Sequence, residues 1–403
     1  MNGTEDIQAD SVEAVQAAVM EAAAAGSPLE IVAGGTKRGY GRPVQAQRVL
    51  NVSGLRGVVD YQPHELILVA RPGTPLAEIE ATVAEAGQML PFEPPHWHPD
   101  ATLGGAIACN LSGPRRMRAG AARDHLLGFK GVTGTGEIIN GGGRVVKNVT
   151  GYDLSKLICG SFGTLVVLTE VVLKVLPRAE RERTLLFPGL DAQAGVARMI
   201  AAVGMPLEVS AAAYLPAGLP LPEPAELHTG KALTAVRLEG PQVSLEERGM
   251  QLRGDTPPAA GDVLDGEDSR AFWEALRELR PLAPEATAPG GTEAAEGQGT
   301  LWRLAVPPMA GAKVAAGLGA VGLGAHFIDW GGALVWATGR HDVQAEPIHA
   351  LAQAHGGIAQ CVRGAMDLPF TPLDAGQERI NRNLKGAFDP HGIFNPGRLY
   401  PGW

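Results

Sequence analysis

Cysteine is scarce in this chain: Cys109, Cys159 and Cys361 are its three thiols, and they stand far apart with no Cys-x-x-Cys pair. That spacing supplies neither the ligand set of an iron-sulfur cluster nor a disulfide framework, and it fits a reducing cytoplasm. Long apolar runs are missing as well. The greasiest stretch, Val314 to Ala325, is broken by glycines and is shorter than the roughly 20 residues a membrane helix needs, so membrane contact is expected only peripherally, through partners. The opening MNGTEDIQAD is acidic and has no apolar centre, so it does not read as a secretory signal. Basic charge is in deficit. With 34 Lys and Arg against 43 Asp and Glu, the formal charge of -9 argues against a nucleic-acid footprint, which requires clustered cations on one face. No Gly-x-Gly-x-x-Gly follows a strand and no Gly-x-x-x-x-Gly-Lys-Ser/Thr occurs, so nicotinamide Rossmann and P-loop readings lack motif support.

What the chain does have is glycine and proline, 54 and 31 of them in 403 residues, at 45% hydrophobic and 19% charged content. This composition is that of an ordinary globular protein with many tight turns, and the length suits two domains or one large composite fold. Asp10 with Glu13 marks a helix start, with Val12, Val15 and Val19 on one face up to Gly26. Leu29–Val32 and Leu66–Ala70 read as strands. In RPGTP, Thr74 is expected to cap and Pro75 to open a helix whose buried stripe is Leu76, Ile79 and Val83. From Ala101 to Gly151 periodicity gives way to Gly, Asn, Ser and Arg. Asp153 is expected to cap a short helix to Cys159, and Thr164 to Leu176 to form a long strand ending at Pro177.

Further on, strands are expected near Arg183–Phe187, Leu207–Tyr214, Lys231–Glu239, Leu301–Val306, Ala333–Thr338 and Gly357–Val362, with a helix over Ser269–Arg280. An antiparallel sheet backed by helices follows from that pattern. LPAGLPLPEPAEL and PLAPEATAPGGTEAAEGQG interrupt it and read as mobile loops. The fold class is α+β. The expected division is 1–180, 181–370, and a turn-rich segment 371–403 that docks back on the first part.

Two glycine-rich loops carry the functional reading. In VAGGTKRGYG, Gly34 and Gly35 follow a strand directly, so several main-chain N–H groups can converge into an anion nest. PDATLGGAIACNLSGPRR repeats the chemistry: Thr102 offers a hydroxyl, Gly104 and Gly105 permit close backbone approach, and Asn110 and Ser112 add side-chain donors. Two such loops could clamp a diphosphate from both sides.

AGGTKRGYG, HPDATLGGAIACNLSGPRRMRAGAARDHLLGFKGV and GGGRVVKNVTGYDLSKLICGSFGTLVVLTEV together resemble the PCMH-type FAD-binding domain of the vanillyl-alcohol oxidase superfamily. FDPHGIFNPGRL resembles the ending of its 2-hydroxyacid dehydrogenase branch, and within that branch the likeness is to the smaller flavin-binding subunits of bacterial glycolate oxidases. The resemblance implies a FAD domain of two α+β subdomains with a reduced antiparallel-sheet cap. It further implies partnership with a larger FAD-binding subunit and an iron-sulfur subunit in oxidising a small 2-hydroxyacid such as glycolate. Carried over by motif, it implies that Gly34, Gly35, Thr36, Lys37 and Gly39 contact the FAD diphosphate, that Thr102, Gly104, Gly105, Asn110, Ser112 and Gly113 complete the second loop, and that Gly163 and Val166 lie by the adenosine end. Where covalent members carry a His in the first loop, this sequence has Gly-Gly-Thr, which implies non-covalent FAD.

Arg115, Arg116, Arg118 and Arg123 form a basic cluster that either balances the diphosphate, receives an acidic partner, or is simply solvated. The catalytic reading is thinner. Catalytic members of the branch resemble one another in a Gly-Asp-Gly-Asn-x-His motif, which is absent here. His326, His349, His355 and His391 lack partners at metal-ligand spacing, so no metal is expected, and His96 and His98 in PPHWHPD are the better functional candidates. Two rivals stand beside the subunit reading: a self-sufficient FAD-linked dehydrogenase of the D-lactate type, and a scaffold with a vestigial flavin site.

Overall fold

The computed structural model describes residues 5–144, 151–220, 230–254, 262–282, 299–364 and 366–403. Two small sheets, joined by a two-stranded pairing of Gln88–Met89 with Leu176–Pro177, build the N-terminal half. In the first, strands Glu5–Gln8 and Leu29–Val32 flank Arg48–Asn51, all parallel. The second is antiparallel, in the order Val58–Gln62, Ile67–Ala70, Val167–Lys174, Leu126–Val132, Ile138–Gly142.

Helix Val12–Ala25 packs Val15, Ala18, Val19 and Ala22 inward, a spacing that places all four on one face. Its cap is Ser11, whose hydroxyl accepts from Ala14 N at 3.2 Å, and not Asp10. Gly26, at φ 59°, ends it in the left-handed region. Helix Leu76–Glu85 buries the expected Leu76, Ile79 and Val83, but its start differs from expectation: Pro75 is itself the cap residue. Thr74 Oγ1 is spent on Arg71 O at 2.7 Å and Gly57 N at 2.9 Å, tying two turns together. Asp153 does cap the short helix Leu154–Ile158, accepting from Lys156 N.

The C-terminal half is one eight-stranded sheet, ordered Val263–Asp265, Arg181–Pro188, Leu233–Gly240, Ala211–Leu215, Leu323–Asp329, Leu334–Gly339, Thr300–Ala305, Ile358–Arg363. All its pairings are antiparallel. The six expected strands are there with ends shifted by a few residues, and helix Glu267–Arg277 starts and ends a little before the expected Ser269–Arg280. Leu323–Asp329 was not anticipated, because its glycine and half-exposed start hide the period of two. The two stretches expected to be mobile loops lie largely outside the described residues.

One face of the large sheet packs on helices around Val196, Met199, Trp302 and Ile348. The other, carrying Leu233, Ala235, Leu301 and Trp336, packs against Tyr40, Trp97 and Phe162 of the N-terminal half. Charge crosses the same junction. Arg237, 1% exposed, donates through both terminal nitrogens to the Glu93 carboxylate at 3.0 and 3.1 Å, and Arg115 bridges Glu93 and Glu239. Burial alone would raise the Glu93 carboxyl, but Arg237 and Arg115 outweigh it and hold the group well below the usual carboxylate range. This network walls a polar cavity of about 270 Å³ in which most of the charged side chains already hold partners of opposite sign.

The chain's end returns to its beginning. Helix Ala375–Phe388 leads to a segment in which Leu29 N donates to Ile393 O and Asn395 N to Leu29 O, extending the first sheet by a single bridge at Phe394.

Candidate functional site

Strand Leu29–Val32 runs straight into Ala33-Gly34-Gly35-Thr36-Lys37, and the second glycine loop is brought against it. The fit between them is close. A Cβ on Gly34 would lie 1.8 Å from Asp100 O and 3.2 Å from Thr102 Cγ2, so only glycine lets the two turns touch. Gly104 is pressed in the same way onto Pro72, whose carbonyl accepts from Gly104 N at 2.7 Å. Thr102 caps the helix Leu103–Ala108 by accepting from Gly105 N, leaving the glycine face of that first turn open to the cleft.

The cleft between the loops is lined by Gly34, Gly35, Thr36, Lys37, Thr102, Gly104, Gly105, Gly163 and Val166. Nine of the thirteen anticipated site residues therefore meet in one place. Four do not line it. Gly39 lies past the turn with open space around it. Asn110 spends its side-chain oxygen on Arg123 N and the Cys159 thiol, and Ser112 accepts from Ala122 N. Gly113 packs on Glu93, and its carbonyl accepts from Trp330 Nε1 at 2.9 Å. These last three shape the loop's return path, with Asn110 Oδ1, Ser112 Oγ and Gly113 O each accepting from within the fold.

Donor chemistry decides what the cleft fits. The main-chain N–H groups of Gly34, Gly35, Thr36 and Lys37 donate to no acceptor among the described residues, although Thr36 and Lys37 are buried. Lys37 Nζ donates to Thr36 Oγ1 at 3.0 Å and lies 5.9 Å from the Trp97 ring, with no carboxylate in salt-bridge range. Burial pushes its ammonium down to about 8, against weaker opposing pulls from Cys109 and Glu278. A run of unpaired amides, a hydroxyl and an uncompensated buried cation is the donor set of a diphosphate cradle. A Cβ at Gly105 would enter that cradle beside Thr102 Oγ1 and Lys37 Cδ.

Three contributors were not singled out from the sequence. Asn395 accepts from Ile31 N and donates to Phe162 O, each at 2.8 Å, clamping the cleft's two walls. Arg398 braces the first loop from behind, donating to Lys37 O, Arg38 O and Arg42 O. Cys109 lines the floor, its thiol pushed up to about 11 by burial. The Asn-Pro-Gly-Arg run in the closing motif was the available signal for the first two.

The other candidates resolve into structure. His96 pairs with Glu80 and His98 accepts from Asp100 N, and neither lines the cleft. His349 is sandwiched between Thr371 Oγ1 and Leu368 O. Arg115 and Arg118 pair with Glu239 and Glu208 of the C-terminal half and Arg116 lies over the Trp330 ring, so these three arginines join the two halves. Among the described residues no group of three His, Cys, Asp or Glu could hold a metal, and no helix is long and apolar enough to cross a membrane.

Residues 6–142 match the model of the FAD binding domain family. Over 397 residues the chain is 38% identical to glycolate oxidase subunit GlcE of Escherichia coli (strain K12), covering 98% of each. The chain belongs to the family of FAD-linked oxidoreductases that includes the glycolate oxidase subunits. Glycolate oxidase subunit GlcD of Bacillus subtilis (strain 168) is a more distant relative, 27% identical over 389 residues that cover 89% of this chain and 80% of that one. Among solved structures, 4-ethylphenol oxidase from Gulosibacter chungangensis superimposes with a TM-score of 0.73 at 17% identity, covering all of this chain and 91% of the other. That likeness establishes the shared PCMH-type α+β fold. FAD is the cofactor of this family, and the cradle's free amides and buried lysine are chemically suited to its diphosphate.

Proposed function

We propose that the chain holds FAD non-covalently between its two glycine loops and serves as a flavin-binding subunit of a complex that oxidises glycolate, together with a larger FAD-binding subunit and an iron-sulfur subunit. The observation that carries the reading is the abutment of Gly34 on Asp100, which puts a row of unpaired amides opposite Gly105. Gly34, Gly35, Thr36 and Lys37 bind the diphosphate in this reading, and Gly163 and Val166 receive the adenosine end. FAD supplies acceptance of the hydride from the substrate carbon. The chain's own residues bind and orient it. Non-covalent attachment is supported by the absence of histidine from the cleft lining among the described residues, and by a Cys109 thiol that burial keeps protonated and weakly nucleophilic.

The partners are proposed from the relatives, whose names are those of glycolate oxidase subunits. A division into a flavin-binding part to residue 180, a cap to 370 and a returning tail is proposed with them, and it is supported by the eight-stranded sheet beginning at Arg181.

Acid precipitation of the purified full chain tests the cofactor claim. FAD released to the supernatant at close to one per chain is the expected result. Flavin retained in the pellet would overturn non-covalent binding, and none in either fraction would overturn the reading. Affinity capture of the tagged chain from cells that co-express the two candidate subunits tests the assembly. Failure of both to co-purify would remove the complex.

A further inference from the structure

Most charged groups in the 270 Å³ cavity at the junction of the two halves are neutralised in place; Glu182 is an exception. On strand Arg181–Pro188 it alternates onto the same face as Thr184, and on helix Glu267–Arg277 Ser269 and Trp273 stand four apart, so they meet that face together. Trp273 Nε1 donates to Thr184 Oγ1 at 2.7 Å, the Thr184 and Ser269 hydroxyls meet at 2.7 Å, and Ser269 Oγ donates to Glu182 Oε1 at 2.8 Å. Ser269 gives its single hydroxyl hydrogen to the carboxylate, so Thr184 donates to Ser269. Three donors therefore run in one direction through the interior and end on Glu182.

That relay fixes the carboxylate but occupies one oxygen only. Arg237 approaches the same Oε1 at 4.0 Å and is itself committed to both oxygens of Glu93. Oε2 has no partner among the described residues, although Glu182 is 8% exposed and lines the cavity. Burial raises the Glu182 carboxyl, and Glu239 and Glu93 add to the rise against Arg237 and Ser269. An ionised carboxylate so placed is costly until a cation meets it.

Arg178 is the second uncommitted group. It lines the same cavity from an exposed position, its backbone N–H donates to Gly87 O, and its guanidinium has no ion pair or hydrogen bond among the described residues. Four residues along the chain from Glu182, its Cα lies within about 14 Å of that residue's. Five glutamates and five arginines line the cavity, so its formal charge is zero. A simple cation or anion gains nothing from such a balance, whereas a dipolar ion is matched at both ends. Val83, Met89 and Leu90 give the cavity an apolar wall.

We propose that this cavity binds a free α-amino acid with an aliphatic side chain, its ammonium on Glu182 Oε2 and its carboxylate on Arg178. Both halves of the chain line the cavity, so the ligand fastens their junction. The cavity shares no lining residue with the flavin cleft, which makes it an effector site that stands independently of the flavin reading.

Isothermal calorimetry of the full chain with L-leucine tests it, set beside isopentylamine, which lacks the carboxylate, and isocaproate, which lacks the ammonium. Saturable binding of L-leucine is expected, with each analogue weaker by about tenfold or more because it leaves one charge of the cavity unmet. Glu182→Gln keeps the acceptor for Ser269 and removes the charge. It is expected to weaken L-leucine about tenfold or more, and Arg178→Gln by a smaller factor, since that cation is exposed. Both variants should keep the FAD content of wild type. L-leucine should also raise the melting temperature of wild type and leave that of Glu182→Gln in place. Should Glu182→Gln fail to fold, the Arg178→Gln titration and the two analogues carry the same test. No saturable L-leucine binding by the folded wild type, an analogue that binds as tightly as L-leucine, or unchanged affinity in the variants would each overturn the site. A chain that holds no FAD yet binds L-leucine would count against the cofactor reading alone.

Discussion

Gly34 and Asp100 meet backbone to backbone: a methyl group on the first would sit 1.8 Å from the carbonyl oxygen of the second. The contact makes one cradle out of two loops that lie more than sixty residues apart in sequence. It separates two kinds of glycine. Gly34→Ala forces the loops apart, and overpacking of this kind costs roughly 1–3 kcal/mol. Gly105 has ordinary room for a methyl, with Thr102 Oγ1 at 3.4 Å and Lys37 Cδ at 3.6 Å, but that methyl would project into the cleft. The expected outcome is that Gly34→Ala lowers both the melting temperature and FAD retention, whereas Gly105→Ala melts like wild type as the apo protein and binds FAD more weakly. Calorimetric melting and FAD fluorescence titration on both variants check this.

Lys37 gives FAD binding a pH signature. Burial depresses its ammonium to about 8 in the empty cradle, and a diphosphate at hand favours the charged form. The bound state therefore holds the proton more tightly than the free state. Affinity should be flat below about pH 8 and fall above it by at most about tenfold per pH unit, until the bound-state value is passed. Lys37→Gln should bind more weakly throughout and show no such decline. FAD titrations between pH 6.5 and 9.5 on both proteins decide it, and a wild-type curve parallel to the variant's would refute the role.

Asp329 produces a pH effect on stability, at lower pH. Buried behind Trp330, its carboxyl is raised to about 7 by burial, with Glu93 adding to the rise while the Trp330 N–H and Arg237 pull against it. A folded-state value above the unfolded one means a contribution that is complete below about pH 4 and lost as pH climbs through about 7. The displacement from 3.8 to about 7 is worth at most about 4 kcal/mol. Asp329→Asn keeps an oxygen for Trp330 N and has no charge to desolvate. It should therefore exceed wild type in urea midpoint at pH 8.5 and converge with it near pH 4.

The legibility of this protein in its sequence follows the range of the interactions involved. The convergence of the two glycine loops was readable, because Gly34-Gly35 after a strand and Thr102 before a helix are local signals whose meaning lies in their own backbone. Asn110 and Ser112 lie outside the cleft lining, since a polar side chain in a glycine loop has two uses and here Arg123 N, the Cys159 thiol and Ala122 N engage their oxygens. The basic cluster was visible as composition only. That Arg115 reaches Glu239 while Arg116 rests on Trp330 depends on contacts across more than a hundred residues of chain. In the fold, strands Leu126–Val132 and Ile138–Gly142 were hidden by their glycines, which the large sheet's more apolar strands mostly lack.

Asn395 tests whether the returning tail is part of the cleft or only covers it. Its side chain accepts from Ile31 N and donates to Phe162 O, each at 2.8 Å, and it packs against Gly163, which at φ 66° leaves just enough room. Asn395→Ala would strand a donor on one wall and an acceptor on the other, at about 1–3 kcal/mol for each group left unsatisfied in the interior. Because both walls line the cradle, FAD affinity should fall together with stability. Saturating FAD should then restore part of the lost melting temperature, since a ligand that binds only the folded state stabilises it by mass action. If the variant melts early yet binds FAD with wild-type affinity, Asn395 secures the tail alone and the walls keep their spacing without it.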